Sequence, residues 1–240
     1  PGTGKTAVAA RLVQIHQGRV AALGRAGPLD NLRPGFLAHH HFCQAGVEET
    51  LVPLRFVQAL AQALANRYPA CRHALESAGS QQFHIHSNIT TQGQVSAGAH
   101  VTGAMVRIEI LSGDARPLFD SMVRQPLQAL ARAHPGEPVI VLVDSLDEAL
   151  SFGTDHNIAQ LLRLVKDFPP QVRFIFTARS QEPRVTDLVG PASLDLLVNA
   201  PAGLDEVRQY ALARLAMLPK AARANAAALV AQRSGGNFLY

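Results

Sequence analysis

The residues best suited to chemistry open the chain, in the stretch PGTGKTAVAARL at residues 1–12. Glycines have no Cβ, so successive backbone N–H groups can turn toward one anionic group. The stretch matches the GxxxxGK[ST] phosphate-loop pattern except for its first glycine and the residue after that glycine. Lys5 would contact the β- and γ-phosphates of a nucleotide, and Thr6 would place its hydroxyl on Mg²⁺. The predicted phosphate-binding residues are Pro1, Gly2, Thr3, Gly4, Lys5 and Thr6.

A group of acidic residues follows an apolar run in VIVLVDSLDEAL, residues 139–150. An uninterrupted apolar run predicts a strand that is covered on both faces, as in a parallel sheet. Asp144 would hold the hydration shell of Mg²⁺ at the sheet edge where open α/β folds bind ligands. Asp147 and Glu148 follow three and four residues after Asp144, close enough to orient a water molecule against the γ-phosphate. The alternative is that these acids only cap the element after the strand.

The spacing of these acids discriminates among nucleotide-binding families. Ring-forming AAA ATPases usually place the catalytic Glu directly after the metal-binding Asp, but Ser145 and Leu146 intervene here. A small residue, a hydrophobic residue and two acids in that order resemble the NACHT group of STAND-class signal-transduction ATPases. The stretch FIFTARSQEP is similar to the arginine sensor of that family, which implies that Arg179 lies near the γ-phosphate. A surface salt bridge is the alternative for Arg179.

The resemblance implies an α/β fold of the P-loop NTPase type, a three-layer sandwich with a mostly parallel sheet followed by a small helical domain. We assign residues 1–200 to the nucleotide-binding domain, with a β-rich insertion at 77–113, and residues 201–240 to the start of the helical domain. GLDEVRQYALARL and SGGNFLY are similar to parts of that helical domain. Hydrophobic patterning further predicts strands at 36–43 and 172–180, and helices at 5–23, from about Thr50, at 116–133 and at 156–168.

Composition restricts the classes of partner. The net charge is +4, but 18 acidic residues are interspersed with 22 basic ones and form no basic stripe, so a nucleic-acid partner is disfavoured. No apolar run approaches the roughly 20 residues that a membrane span needs. The chain has two cysteines, which do not indicate a disulfide framework. We therefore expect a cytoplasmic globular protein without a membrane partner.

The clustered histidines raise the question of a metal site. Alternate residues of a strand share one face, so His39, His41 and Cys43 would lie on the same side. Three ligands in a line along one strand cannot surround a tetrahedral ion, and we predict no zinc site. No Ser or Cys lies in a GxSxG nucleophile elbow.

The resemblance implies an ATP-binding and ATP-hydrolysing switch in signal transduction, slow and regulatory, that uses ATP and Mg²⁺. It also implies sensor and effector domains and homo-oligomerisation in a longer protein. Two alternatives stay open: a nucleic-acid-stimulated AAA-type ATPase, and a scaffold that binds nucleotide without hydrolysing it. A small-molecule phosphotransferase is a weaker third. Because the strand that leads into the phosphate loop is missing, we expect a fragment that is poorly stable alone.

Overall fold

The structure is a computed structural model that describes residues 5–19, 32–79, 82–89, 104–153, 156–179, 182–189 and 200–234. These residues form a mixed α/β fold, which confirms the predicted fold class at that level. The strands are β1 (His39–Phe42), β2 (Phe83–Ile89), β3 (Ala104–Ile110), β4 (Val139–Asp144) and β5 (Val172–Phe176). The helices are α1 (Lys5–His16), α2 (Pro53–Arg67), α3 (Pro69–Ala78), α4 (Ala115–Phe119), α5 (Gln125–Ala133), α6 (Ile158–Leu161), α7 (Pro183–Val189), α8 (Ala200–Arg214) and α9 (Lys220–Ser234).

Contacts group the chain into two units. One unit, called here the sheet unit, is Leu12–Ala178, and the other, called the helical unit, is Pro1–Arg11 with Arg179–Tyr240. Helix α1 spans the boundary, so its first residues group with the helical unit and its last residues with the sheet unit. The assignment of domains to 1–200 and 201–240 stays a prediction.

A parallel three-stranded sheet forms the centre of the sheet unit, in the order β1-β4-β5. Phe42 of β1 lies opposite Asp144 of β4, and Phe176 of β5 lies opposite Val143. Strand β4 is buried at every position except Ile140, because it is apolar and has a strand on each side. The apolar run therefore predicted β4 correctly. Parallel pairing brings the carboxyl ends of all three strands to one edge.

Helices contact both faces of this sheet. The ring of His41 packs against Phe56 of α2 with centroids 5.1 Å apart, and His40 lies 6.3 Å from His16 of α1. Neighbouring strand residues point to opposite faces, so α2 and the end of α1 cover opposite sides of β1. The imidazole Nδ1 of His16 accepts a hydrogen bond of 3.1 Å from the backbone N–H of Leu37, just before β1.

The predicted β-rich segment forms an antiparallel pair over its described part. Strand β2 pairs with β3 from Phe83 opposite Ile110 to Ile89 opposite Ala104. Residues 90–103 lie outside the described residues. The described residues on both sides of that gap form strands, and the end of α3 also lies within 77–113. That this segment is an insertion stays a prediction.

Amide side chains of α2 hold the outer edge of β3. Gln58 donates to the carbonyl of Ile108, and Gln62 accepts from the N–H of Ile108. Asn66 both donates to the carbonyl of Val106 and accepts from its N–H, at 3.1 and 2.7 Å. The three amides are four residues apart, so they lie on one face of the helix. They form hydrogen bonds with backbone N–H and C=O groups of β3 that would otherwise lie unpaired at an open sheet edge.

The helix predicted at 116–133 forms, but not as one regular α-helix. Between α4 and α5 the turn Asp120–Arg124 is π-helical, and the N–H of Gln125 bonds the carbonyl of Asp120 five residues earlier. Pro126 has no N–H and its ring would clash with the carbonyl four residues back. The wider turn accommodates the proline without ending the helix.

Other boundaries also differ from the predictions. Helix α1 ends at His16 rather than near residue 23, and Gly18 follows in a left-handed conformation with φ 68°. The helix predicted at 156–168 is α-helical only in α6 and continues as the 3₁₀ segment Leu162–Asp167. Strand β5 ends at Phe176, short of the predicted residue 180. Helices α8 and α9 confirm the helical pattern predicted beyond Pro201, and 235–240 lie outside the described residues.

Acid should destabilise the sheet unit through His39. Its Nε2 atom is buried without a hydrogen-bond partner among the described residues, and burial, followed by His41 and His40, lowers the pKa of His39 to about 3. The folded state therefore binds the proton less readily than the unfolded state. The free energy of unfolding should have its full value above about pH 6.5 and should fall as the pH is lowered from 6.5 to 3. The fall should be about 1.4 kcal/mol for each unit by which folding lowers the pKa of His39.

His39→Leu tests this expectation in urea unfolding at several pH values. The variant should lose less stability than the wild type between pH 6.5 and 4, whereas substitution of the exposed His73 by Leu should leave the pH dependence unchanged. Identical pH profiles for His39→Leu and the wild type would contradict the assignment.

Candidate functional site

The candidate site lies at the edge of the sheet where the parallel strands end. Asp144, the last residue of β4, is only 1% exposed. The Thr177 hydroxyl donates a hydrogen bond to Oδ1 of Asp144, and the Ser145 hydroxyl donates to Oδ2 at 3.1 Å. A buried carboxylate is costly unless it is hydrogen-bonded, and each of its oxygens has a hydroxyl donor here.

The turn after β4 depends on the same threonine. Ser145 has φ 55°, a left-handed conformation that is uncommon for residues other than glycine. Its N–H donates to the Thr177 hydroxyl at 2.9 Å, and the N–H of Leu146 donates to the Thr177 carbonyl at 2.8 Å. The hydroxyl of Thr177 therefore acts as donor and acceptor at once. It joins the end of β5 to both the carboxylate and the backbone of the turn.

The two acids that follow have different surroundings. Glu148 begins a 3₁₀ segment, Glu148–Phe152, and its carboxylate accepts a hydrogen bond from the N–H of Ala45 in the loop after β1. Asp147 comes directly before that segment. Glu148 thus connects the ends of β1 and β4, a structural role that the sequence did not indicate.

Cys43 directly follows β1 and lies beside Asp144 at this edge. Its N–H donates to the carbonyl of Asp144 at 3.0 Å, and its side chain is buried. Burial raises the pKa of the Cys43 thiol to about 12, with further contributions from Asp144, Glu148 and Asp147. The structure therefore brings these three predicted site residues to one edge of the sheet. The thiol stays protonated at neutral pH and is a poor nucleophile.

Of the remaining predicted residues, Lys5, Thr6 and Arg179 belong to the helical unit. Pro1, Gly2, Thr3 and Gly4 lie outside the described residues. Lys5 and Thr6 are the first residues of α1, where a phosphate loop would lead into its helix. Arg179 is exposed and lies three residues after β5. Their roles at a nucleotide stay predictions.

Sequence patterns did not indicate a role for Thr177, and they raised Cys43 only as a possible metal ligand. Each directly follows a strand of the parallel sheet, as Ser145 does, so their backbones meet at the edge where Asp144 ends β4. The signal was present in FIFTARSQEP, where a hydroxyl residue follows a buried strand. The family resemblance assigned a role only to Arg179 in that stretch.

Asp144 supplies the kind of oxygen donor that magnesium sites use. In the described part of the chain, no three His, Cys, Asp or Glu side chains are placed to hold a metal ion. Mg²⁺ differs from zinc in keeping several water ligands and in using one or two carboxylates with substrate phosphates. The hydroxyl-bonded carboxylate of Asp144 suits such a site, because it supplies an oriented oxygen donor without a dedicated protein cage.

Comparisons with known proteins add no family to this description. No protein-family model, curated protein or solved structure matches the chain. Across the described residues, no helix has both the length and the apolar character that crossing a membrane requires.

Substitutions of Ser145 should separate backbone conformation from side-chain bonding. Ser145→Val introduces a β-branched residue into a left-handed conformation and should cost about 1–3 kcal/mol more unfolding free energy than Ser145→Gly. Both variants lose the hydroxyl that bonds Asp144, so urea unfolding of the pair isolates the backbone effect. Equal unfolding free energies would show that residue 145 does not need this conformation.

Proposed function

We propose that the chain is the nucleotide-binding part of an ATP-dependent switch, a NACHT-like STAND-class ATPase with a P-loop NTPase fold that acts in the cytoplasm. One observation carries the proposal: a buried carboxylate, Asp144, ends the middle strand of a parallel sheet and is oriented by neighbouring hydroxyls. Open α/β folds bind ligands at this edge. The Gly-Lys-Thr sequence that leads into α1 supplies the complementary phosphate chemistry.

The surroundings of Asp144 support a cationic ligand. Its hydrogen-bond partners among the described residues are the hydroxyls of Thr177 and Ser145. Neutral hydroxyls satisfy hydrogen bonds but do not neutralise a carboxylate charge, and a buried uncompensated charge is costly. The Mg²⁺ ion of a metal–nucleotide complex would supply positive charge next to this carboxylate.

The motifs assign roles to the charged and hydroxyl residues of the predicted site. Lys5 would contact the β- and γ-phosphates, and Thr6 and Asp144 would hold Mg²⁺. When bound, Mg²⁺ neutralises phosphate charge and polarises the γ-phosphate. Asp147 or Glu148 orients the attacking water, and Arg179 contacts the γ-phosphate.

The switch itself would rest on different affinities for nucleotide in two conformations. Exchange or slow hydrolysis of ATP would then shift the population between them. We propose that sensor and effector domains of a longer protein, and assembly with further copies of the chain, respond to that shift.

A non-hydrolysing scaffold is the second candidate function. The observation that favours it is the hydrogen bond from the N–H of Ala45 to the carboxylate of Glu148. Glu148 is one of the two acids proposed to orient water, and here its carboxylate already accepts a backbone hydrogen bond. A single-turnover assay with excess protein distinguishes the two functions: the switch converts bound ATP slowly, and the scaffold does not.

Lys5→Ala should abolish nucleotide binding in the full-length protein, because it removes the only charged side chain of the phosphate loop, residues 1–6. Titration of the wild type and the variant with a fluorescent ATP analogue in the presence of Mg²⁺ measures this loss. Lys220→Ala, at the exposed start of α9, controls for the loss of one positive charge. Unchanged affinity in Lys5→Ala would end the proposal.

Asp147→Asn and Glu148→Gln should each preserve ATP binding, and the variant that loses the water-orienting carboxylate should hydrolyse about 10²–10⁴-fold more slowly. The amide oxygen introduced by Glu148→Gln can still accept the N–H of Ala45, so loss of the fold is not the expected cause. Multiple-turnover phosphate release measures the rate. Wild-type rates in both variants would show that neither acid orients the water.

A further inference from the structure

We propose that Thr177 is a positioning residue of the metal–nucleotide site: its hydroxyl fixes the Asp144 carboxylate and thereby sets the affinity of the site for Mg²⁺. This inference rests on the proposed function, and it assigns a role to a residue that the motifs left out.

The backbone of Thr177 is held to β4 on both sides. Its N–H donates to the carbonyl of Val143 at 3.0 Å, and its carbonyl accepts from the N–H of Leu146 at 2.8 Å. A β-branched side chain also has few χ1 rotamers. The position of the hydroxyl is therefore determined by the sheet and not by a flexible loop.

The hydroxyl transmits that position to the carboxylate. It donates to Oδ1 of Asp144 and accepts the N–H of Ser145 at 2.9 Å. Because the accepted N–H orients the oxygen, the remaining hydrogen points to the carboxylate. An ionised carboxylate has about four acceptor positions, so the two hydroxyl bonds leave others for a metal ion or its waters.

Outer-shell hydrogen bonds of this kind contribute strongly to metal binding. Removal of a partner that orients a metal ligand typically lowers metal affinity about 10–100-fold. Thr177→Val keeps the shape of the side chain and removes only the hydroxyl. Thr177→Ser keeps the hydroxyl and loses only a methyl group.

The test measures the Mg²⁺ concentration that gives half-maximal binding of mant-ATP, a fluorescent ATP analogue. Thr177→Val should raise this concentration about 10–100-fold, whereas Thr177→Ser should restore most of the affinity. Binding of mant-ATP in EDTA should be the same in all three proteins. Ser121→Ala is the control for loss of a hydroxyl, because the Ser121 hydroxyl donates to the Leu118 carbonyl in the π-helical turn between α4 and α5, away from this sheet edge.

A double-mutant cycle tests whether Thr177 acts through Asp144. In an Asp144→Asn background, Thr177→Val should have no further effect on the Mg²⁺ requirement. Suppose that the wild type needs Mg²⁺ to bind mant-ATP but that Thr177→Val has the same Mg²⁺ requirement as the wild type. This inference is then wrong and the proposed function stands. The same conclusion follows if Thr177→Val raises the Mg²⁺ requirement equally with Asp144 present and in the Asp144→Asn background. If the wild type shows no Mg²⁺-dependent binding of mant-ATP, the proposed function itself fails.

Discussion

A carboxylate buried at the end of a parallel strand is the constraint on which the rest of the sheet edge depends. Asp144 lies in the middle of the sheet and is removed from water, so its oxygens need donors from within the protein. Those donors come from the next residue along the chain and from the residue after the neighbouring strand. The left-handed conformation of Ser145 follows from this arrangement, because the turn must bring its N–H to Thr177.

Helix α2 connects this sheet to the antiparallel pair. One part of it packs Phe56 against His41 of β1, and its amide side chains, Gln58, Gln62 and Asn66, bond the backbone of β3. The β-rich segment is thus held to the sheet unit by a helix that also covers the sheet. The loop after β1 is joined to the segment after β4 by the hydrogen bond from Ala45 to Glu148. A change in α2 or in the loop after β1 would therefore alter the surroundings of the candidate site.

The sequence predicted those elements whose signal lies within a single segment. The unbroken apolar run before Asp144 defined β4, because a strand covered on both faces has no polar side to interrupt it. The π-helical turn before Pro126 and the 3₁₀ continuation after Leu161 were not predicted, since hydrophobic periodicity does not show which backbone hydrogen bonds a helix forms. Propensity gives the type of element more reliably than its ends.

The candidate site was only partly predictable for a related reason. Asp144, Asp147 and Glu148 lie within five residues of sequence, so one motif indicated all three. Thr177 bonds Asp144 across 33 residues of sequence, and only the register of β4 with β5 shows that contact. The bond between Glu148 and Ala45 spans 103 residues and likewise follows from the pairing of β1 with β4.

The most direct test of the account replaces Mg²⁺ by Mn²⁺ and records the electron paramagnetic resonance spectrum of the protein with ATP. The wild type should show a protein-bound Mn²⁺ that is coupled to the phosphorus nuclei of the nucleotide, and Asp144→Asn should lose this signal. The same Mn²⁺ signal in both proteins, or no protein-bound Mn²⁺ in the wild type with ATP, would contradict a metal–nucleotide role for the buried carboxylate.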